Sequence, residues 1–541
     1  MRAGTVRKNE IHEMKIDGYT STGDGIGRID GLAVFVPYTI MGERVLVKIL
    51  KVKKTYAYGK LLEIIEPSPE RIEPACSVFG KCGGCMLQHM TYQEELRFKL
   101  QKVSDAFSRI GGLDFTITEI IGAQEQYGYR NKVSIPVRQD KDGHLTCGFY
   151  ARNSHRVVEY DTCYISDPIL EKIAQSIITY LKKNKFEAYN EQCGHIRHLY
   201  LRKSSLDEIM VCIVVNEKKE LSSLTDHIKS LDSRIVSIAE NVNTLQNNVI
   251  LGREMNILWG KETITERIFD LKIELSPQSF LQINHSQMEK LYQLALAFSQ
   301  VTEQDTVLDL FCGTGTISLC FAQKAKKVYG VEIVEEAVKN AKRNAELNQI
   351  ENASFFAGDT EKVIEKFKDK KIDIVVLDPP RQGSSRETIE VITQFIKPER
   401  VVYVSCDPGT LARDLRLFSE QGYQMSSGAC VDMFPETGHV ETVCLLSKLN
   451  AKQHIEINLD MDELDLTDAE KKATYQEIKD YVLEHSGLKV SSLYIAQVKQ
   501  KCGIIERENY NKPKSEDAKQ PQCPLEKELA IRAALEHFGM I

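Results

Sequence analysis

The sequence predicts an α/β protein built on a doubly wound parallel sheet. A small β-barrel and a mixed α+β region precede it, and a helical extension follows. Three observations carry this. Apolar runs at Thr306 to Phe311, Val328 to Glu332, Ala353 to Ala357, Ile372 to Leu377 and Arg400 to Ser405 alternate with helical patterns across residues 271–450, which is the βαβ signature. Residues 1–67 carry short strands between Gly-rich turns, as small closed barrels do. Between them, residues 68–270 open with Pro67, Pro69, Pro74 and a cysteine cluster.

Composition narrows the classes. The 541 residues carry 70 Lys+Arg against 77 Asp+Glu, a net charge of −7. This excludes a wholly basic nucleic-acid binder but not a local basic surface. With 42% hydrophobic and 27% charged residues, the chain is globular rather than disordered. No apolar run is long enough to span a bilayer, and no fixed-period repeat is visible. The N-terminus lacks a secretory h-region. The expectation is a cytoplasmic protein with no membrane partner, whose 14 cysteines are metal ligands, catalytic groups or core filler.

In the barrel, Tyr19 to Gly27 is a loop, and Leu32 to Val36 and Val45 to Leu50 are strands. Residues 1–60 hold 11 Lys+Arg against 6 Asp+Glu, either a solvated surface or a phosphate-contacting module. In the middle block, Tyr92 to Ile110 is helical. Lys132 to Val137, Leu145 to Tyr150, Val157 to Tyr160 and Ile209 to Val215 are strands. Residues 451–470 read as an acidic linker, with 7 acids and no Lys or Arg from Ile455 to Glu470. In residues 471–541, Tyr475 to His485 and Ser491 to Lys499 predict two helices, Ser491 or Ser492 capping the second. A helix-turn-helix or winged-helix module with an RNA-contacting role is expected there.

Two sheet edges carry chemistry. Val307-Leu308-Asp309-Leu310-Phe311-Cys312-Gly313-Thr314-Gly315-Thr316 is a strand ending in a Gly-rich turn before a helix. Such a turn lets backbone approach a ligand at an electropositive helix end. Glu332, after the next strand, suits the hydroxyls of a ribose. Ser318 stands where a dinucleotide site places its third glycine, which disfavours NAD and favours S-adenosylmethionine. Cys406 ends the strand Val402 to Ser405 before a turn and helix. It is a candidate nucleophile, with a thiol pKa that the helix end should lower. Asp378-Pro379-Pro380-Arg381 ends a strand on the same edge, and Glu441 is a candidate general base.

The stretches SCDPGTLARD, MFPETGHVE, DLFCGTG, LDPPRQG and SFLQIN together resemble the TRAM-domain RNA (uracil-5-)-methyltransferases, above all the bacterial enzymes acting on 23S ribosomal RNA. The resemblance covers about residues 10–448. It implies a Rossmann-like class I methyltransferase domain, an OB-like TRAM barrel and S-adenosylmethionine as methyl donor. It implies Cys406 as nucleophile toward uracil C6 and Glu441 as proton acceptor from C5. Gln282, Phe311, Glu332 and Asp378 fall to the cofactor's surroundings. Thr316 and Asp359, which stand where some relatives carry Asn, are further cofactor candidates. Phe280 is implied to stack on a flipped-out base; from the residues alone it reads as a core aromatic.

Cys76, Cys82 and Cys85 have the spacing of metal ligands. From spacing alone the fourth could be Cys147, Cys163 or Cys193. The resemblance selects Cys163 and a [4Fe-4S] cluster, with zinc the runner-up. Arg130 and Lys132 are candidate phosphate contacts. The expected partner is ribosomal RNA, and no protein partner is implied. Transfer RNA methylation is the alternative within the same chemistry. A non-catalytic RNA-binding assembly factor is the alternative outside it.

Overall fold

The computed structural model describes residues 6–140, 142–190, 194–448, 475–486, 488–502 and 523–537. The acidic linker, the Lys-rich stretch Asn509 to Pro521 and Cys193 lie outside the described residues.

Strands Ile11–Tyr19, Gly25–Ile29, Leu32–Val36, Arg44–Val52 and Tyr56–Glu66 close into a barrel. Period-2 alternation turns Ile16, Val34, Val36, Val45, Val47, Ile49 and Ala57 inward. The closed five-stranded barrel bears out the N-terminal expectation.

A six-stranded sheet follows, in the order Glu254–Gly260, Ile235–Val242, Ile209–Val215, Ile196–Lys203, Lys132–Gln139, Leu145–Cys147. Helices Pro168–Lys183 and Ser222–Leu231 cover it through Leu170, Ile173, Ile177, Leu224 and Ile228. The strand expected over Leu145 to Tyr150 breaks at Gly148. A Cβ there would lie 2.0 Å from the Val158 carbonyl oxygen, and Phe149–Tyr150 pairs separately with Val157–Val158.

The third sheet has eight strands. Ala353–Ala357, Lys327–Glu332, Thr306–Leu310, Ile374–Leu377 and Arg400–Ser405 run parallel in that order. After the helix Pro408–Glu420 the chain forms Tyr423–Val431 and turns back. Glu441–Lys448 then inserts antiparallel beside Arg400–Ser405. This pair departs from the all-parallel expectation. It also brings Thr442 opposite Ser405.

The helix Tyr92–Ala106 and its continuation Phe107–Gly111 lie in the 68–270 block by sequence. Their Val103, Ala106 and Phe107 nevertheless belong to the core of the eight-stranded sheet, with Leu411, Ala412 and Leu415. Ile120–Ile121 adds the sheet's last strand, beside Tyr423–Val431.

Residues 458–541 form a separate unit. Its helices are Tyr475–Ser486, Ser492–Lys501 and Leu525–His537, around Ile478, Val482, Ile495, Val498, Ile531 and Leu535. Ser491 caps the second, accepting from the Tyr494 N–H at 3.4 Å. The third helix was not expected. Among the described residues the unit has no strand to serve as a wing.

Candidate active site

Adjacent strand ends build the site. Leu310 pairs with Leu377, Leu377 with Tyr403 and Ser405 with Thr442. The residues just beyond these pairs are Phe311, Asp378, Cys406 and Glu441. One edge of the sheet therefore gathers the Gly-rich turn, a carboxylate, a thiol and a second carboxylate, where open α/β sheets bind ligands.

The turn is tightly held. Phe311 has φ +71°, and the Phe311 and Cys312 N–H groups both donate to the Val331 carbonyl, at 2.9 and 3.0 Å. Gly315 has φ +84°, which strains any L side chain, and a Cβ there would press on Ala341 Cβ at 3.0 Å. The Glu332 carboxylate accepts from the Gly313 N–H at 3.1 Å and the Val334 N–H at 2.9 Å. It is pre-oriented at the turn.

Three of the cofactor candidates, Thr316, Asp359 and Gln282, have structural partners. The Thr316 hydroxyl shares a buried hydrogen bond with the Tyr292 hydroxyl at 3.0 Å. Asp359 caps the helix Thr360–Val363, accepting from the Glu361 N–H at 3.0 Å. Gln282 is buried, and its main-chain carbonyl accepts from Asn131 Nδ2 at 3.3 Å.

Asp309 was not singled out by the sequence reading, although it lies inside the motif. It is buried and accepts from the Ser318 hydroxyl, while its other oxygen is unpartnered. Burial pushes its carboxyl up to about 8, and burial alone pushes Asp378 up to about 7.

Asp407 caps the helix Pro408–Glu420, accepting from the Gly409 and Thr410 N–H groups at 3.0 and 2.9 Å. Its neighbour Cys406 is half-buried at that helix end. The expected lowering of the thiol pKa is not what the structure gives. Burial pushes it up to about 11, with Glu441 and Asp378 adding to the rise and Arg381 opposing it. Desolvation and two nearby carboxylates outweigh Arg381 and a backbone hydrogen bond. Glu441 itself is pushed up to about 8, by burial first and Asp378 second.

The segment Asp432 to Glu441 is braced by a buried cation. Lys99 Nζ donates to Glu95 at 2.6 Å, to Asp432 at 2.5 Å and to the Phe434 carbonyl at 3.1 Å. The Tyr92 hydroxyl donates to Asp432 at 2.7 Å, and the Glu436 N–H to Glu95 at 2.8 Å. Lys102 Nζ donates to the Gly438 carbonyl at 2.7 Å. The sequence reading missed this network. Its local signal is Glu95 and Lys99 at i, i+4.

Phe280 is 63% exposed, contrary to the core reading, and its ring lies 5.8 Å from Lys132 Nζ. Cys76, Cys82, Cys85 and Cys163 line one cavity of about 290 Å³, together with Arg130 and Lys132. Of those two cations, Arg130 acts electrostatically on Cys82, Cys85 and Cys163. Cys147 is buried in the core of the six-stranded sheet.

The family described as tRNA (Uracil-5-)-methyltransferase matches residues 91–449, and the TRAM domain matches residues 6–62. An "Uncharacterized RNA methyltransferase" of Clostridium tetani is 43% identical over 83% of this chain and 98% of its own length. One from Clostridium acetobutylicum is 45% identical over 82% and 98%. Among solved structures, the Pyrococcus abyssi tRNA (uracil-54, C5)-methyltransferase in complex with S-adenosyl-L-homocysteine is 28% identical. It covers 80% of this chain and 100% of that one, with a TM-score of 0.65. The chain thus belongs to the tRNA (uracil-5-)-methyltransferase family, as an S-adenosylmethionine-dependent RNA methyltransferase with an N-terminal TRAM domain.

Proposed function

We propose that this enzyme methylates C5 of a uridine in 23S ribosomal RNA through a covalent adduct of Cys406 with C6. The carrying observation is the convergence of Cys406, Glu441 and Asp378 at one sheet edge beside the Gly-rich turn. S-adenosylmethionine, when bound, supplies an electrophilic methyl group. Phe311, Glu332, Gln282 and Asp378 surround it in this reading. Cys406 attacks as the thiolate. Its lone pair forms the S–C6 bond, and the C5=C6 π electrons move onto the uracil enolate. C5 would take the methyl group as its bond to the donor's sulfonium sulfur breaks, the electron pair staying on that sulfur. The Glu441 carboxylate then takes the C5 proton, the C5=C6 bond reforms and the thiolate leaves. Arg381 favours the charged forms of both groups. Phe280, exposed and beside Lys132, stacks on the extruded base.

Cys76, Cys82, Cys85 and Cys163 would hold a [4Fe-4S] cluster. All four are free thiols lining a single cavity, a donor set that fits iron–sulfur ligation. Tetrahedral zinc needs sulfurs about 3.8 Å apart, given Zn–S bonds of about 2.3 Å. Among the described residues no three cysteine sulfurs lie within 4.8 Å of one another, which favours the larger group. Its role is structural, since methyl transfer moves no electron.

The solved neighbour named for tRNA uracil-54 favours a second reading, transfer RNA as substrate. Mass mapping of 5-methyluridine in RNA from cells lacking this chain decides. Loss from 23S ribosomal RNA supports the proposal. Loss from transfer RNA alone replaces it with the second reading.

A further inference from the structure

The outer face of the barrel carries an aromatic patch that the methyl-transfer site does not use. Val34, Val36 and Ala57 point inward, so strand alternation turns Phe35, Tyr56 and Tyr58 outward. Phe35 lies opposite Tyr58 across a parallel pair. The Phe35 and Tyr56 rings stack at 5.2 Å and 25°. Tyr58 stands edge-on to both, at 6.0 and 5.4 Å, and is 42% exposed.

Cations flank these rings. Lys51 lies opposite Tyr58, Arg28 opposite Ala33, and the Lys53 N–H donates to the Tyr56 carbonyl at 2.8 Å. Of the barrel's carboxylates, Glu13 and Glu66 share Arg44, Glu43 pairs with Arg71, and Asp24 pairs with Arg152 while still acting on Tyr58. Lys51 and Lys53 are exposed. Aromatic cross-strand contacts stabilise a sheet without any help from cations. An exposed Tyr58 on two half-buried rings, beside exposed lysines, matches what single-stranded nucleic acid needs, stacking for bases and charge for phosphates.

The barrel that carries the patch touches the segment that carries Glu441. A Cβ at Gly438 would meet the Thr22 carbonyl oxygen at 3.4 Å, and Gly438 belongs to the segment carrying Glu441. From Thr22 the chain enters Gly25–Ile29, whose Ile26 lies opposite Phe35.

We propose that Phe35, Tyr56 and Tyr58 form a base-stacking platform for unpaired nucleotides flanking the target uridine, with Lys51 and Lys53 against their phosphates. This rests on the reading of RNA as substrate. The test is fluorescence anisotropy of the full chain with a fluorescein-labelled single-stranded oligouridylate of about twelve nucleotides. Tyr58→Ala weakens binding about five-fold or more, while Tyr58→Phe stays near wild type, because stacking needs only the ring. Replacing Lys51 and Lys53 by Gln lowers the salt slope by about 1.4, or about 0.7 per phosphate. The platform is overturned if a stably folded Tyr58→Ala binds like wild type, or if Tyr58→Phe falls as far as Ala. Equal loss on duplex RNA of the same length overturns it too. Covalent trapping by the wild type is read separately: its failure counts against the proposed reaction, and the platform is still judged by affinity.

Discussion

Lys99 Nζ meets Asp432 at 2.5 Å across 333 residues of sequence, with both side chains fully buried. Glu95 completes the group. Asp432 opens the segment that ends at Glu441, so a helix remote in sequence sets the position of the proposed base.

Removing this cation leaves two buried carboxylates facing each other. Lys99→Met is expected to destabilise the fold by about 3–5 kcal/mol. Adding Asp432→Asn recovers part of the loss. Urea denaturation of the single and double variants checks this, and equal stability of Lys99→Met and wild type refutes it.

Glu441 is held up at about 8, above its ordinary 4.5. A raised carboxyl favours the fold fully below the unfolded pKa, and this contribution is lost as pH rises through about 8. Glu441→Gln therefore stabilises the fold by more than about 1 kcal/mol at pH 9, and by little at pH 4. It also blocks proton removal from C5. Thermal melts at both pH values and gel analysis of RNA check the pair: higher melting at pH 9, and a methylated covalent complex that persists.

Both the Cys406 thiol, near 11, and the Glu441 carboxyl, near 8, must lose protons. The rate at limiting RNA should rise with pH through about 8 and keep rising above it. A profile of kcat/KM checks this. A plateau already reached by pH 6 refutes the assignment.

Anaerobically purified protein is expected to carry about four iron atoms and four sulfides per chain. Cys163→Ser should lose most of both, whereas Cys147→Ser, in the core of the six-stranded sheet, should keep them. Zinc in place of iron would select the runner-up.

The sequence made the parallel strands and the catalytic motifs legible, because short apolar runs alternate with helices and the Gly-rich turn is local. The reversal that brings Glu441 beside Cys406 was not legible. Val443 to Leu446 are buried throughout, and a continuous apolar run gives no strand direction. Lys99 reads as an ordinary surface cation until its partners at Asp432 and Phe434 fold over it. The rise in the Cys406 pKa was hidden for the same reason: the burial and the neighbouring carboxylates come from distant segments, whereas the helix end is local.

The central claim is tested most directly with RNA carrying 5-fluorouridine at the target, methyl donor present. Fluorine leaves Glu441 no proton to remove. Wild-type protein should therefore stay joined to the RNA under denaturing conditions, with the cross-link at Cys406, and Cys406→Ala should give none. Methylated RNA from Cys406→Ala, or a cross-link at any other residue, would contradict the account.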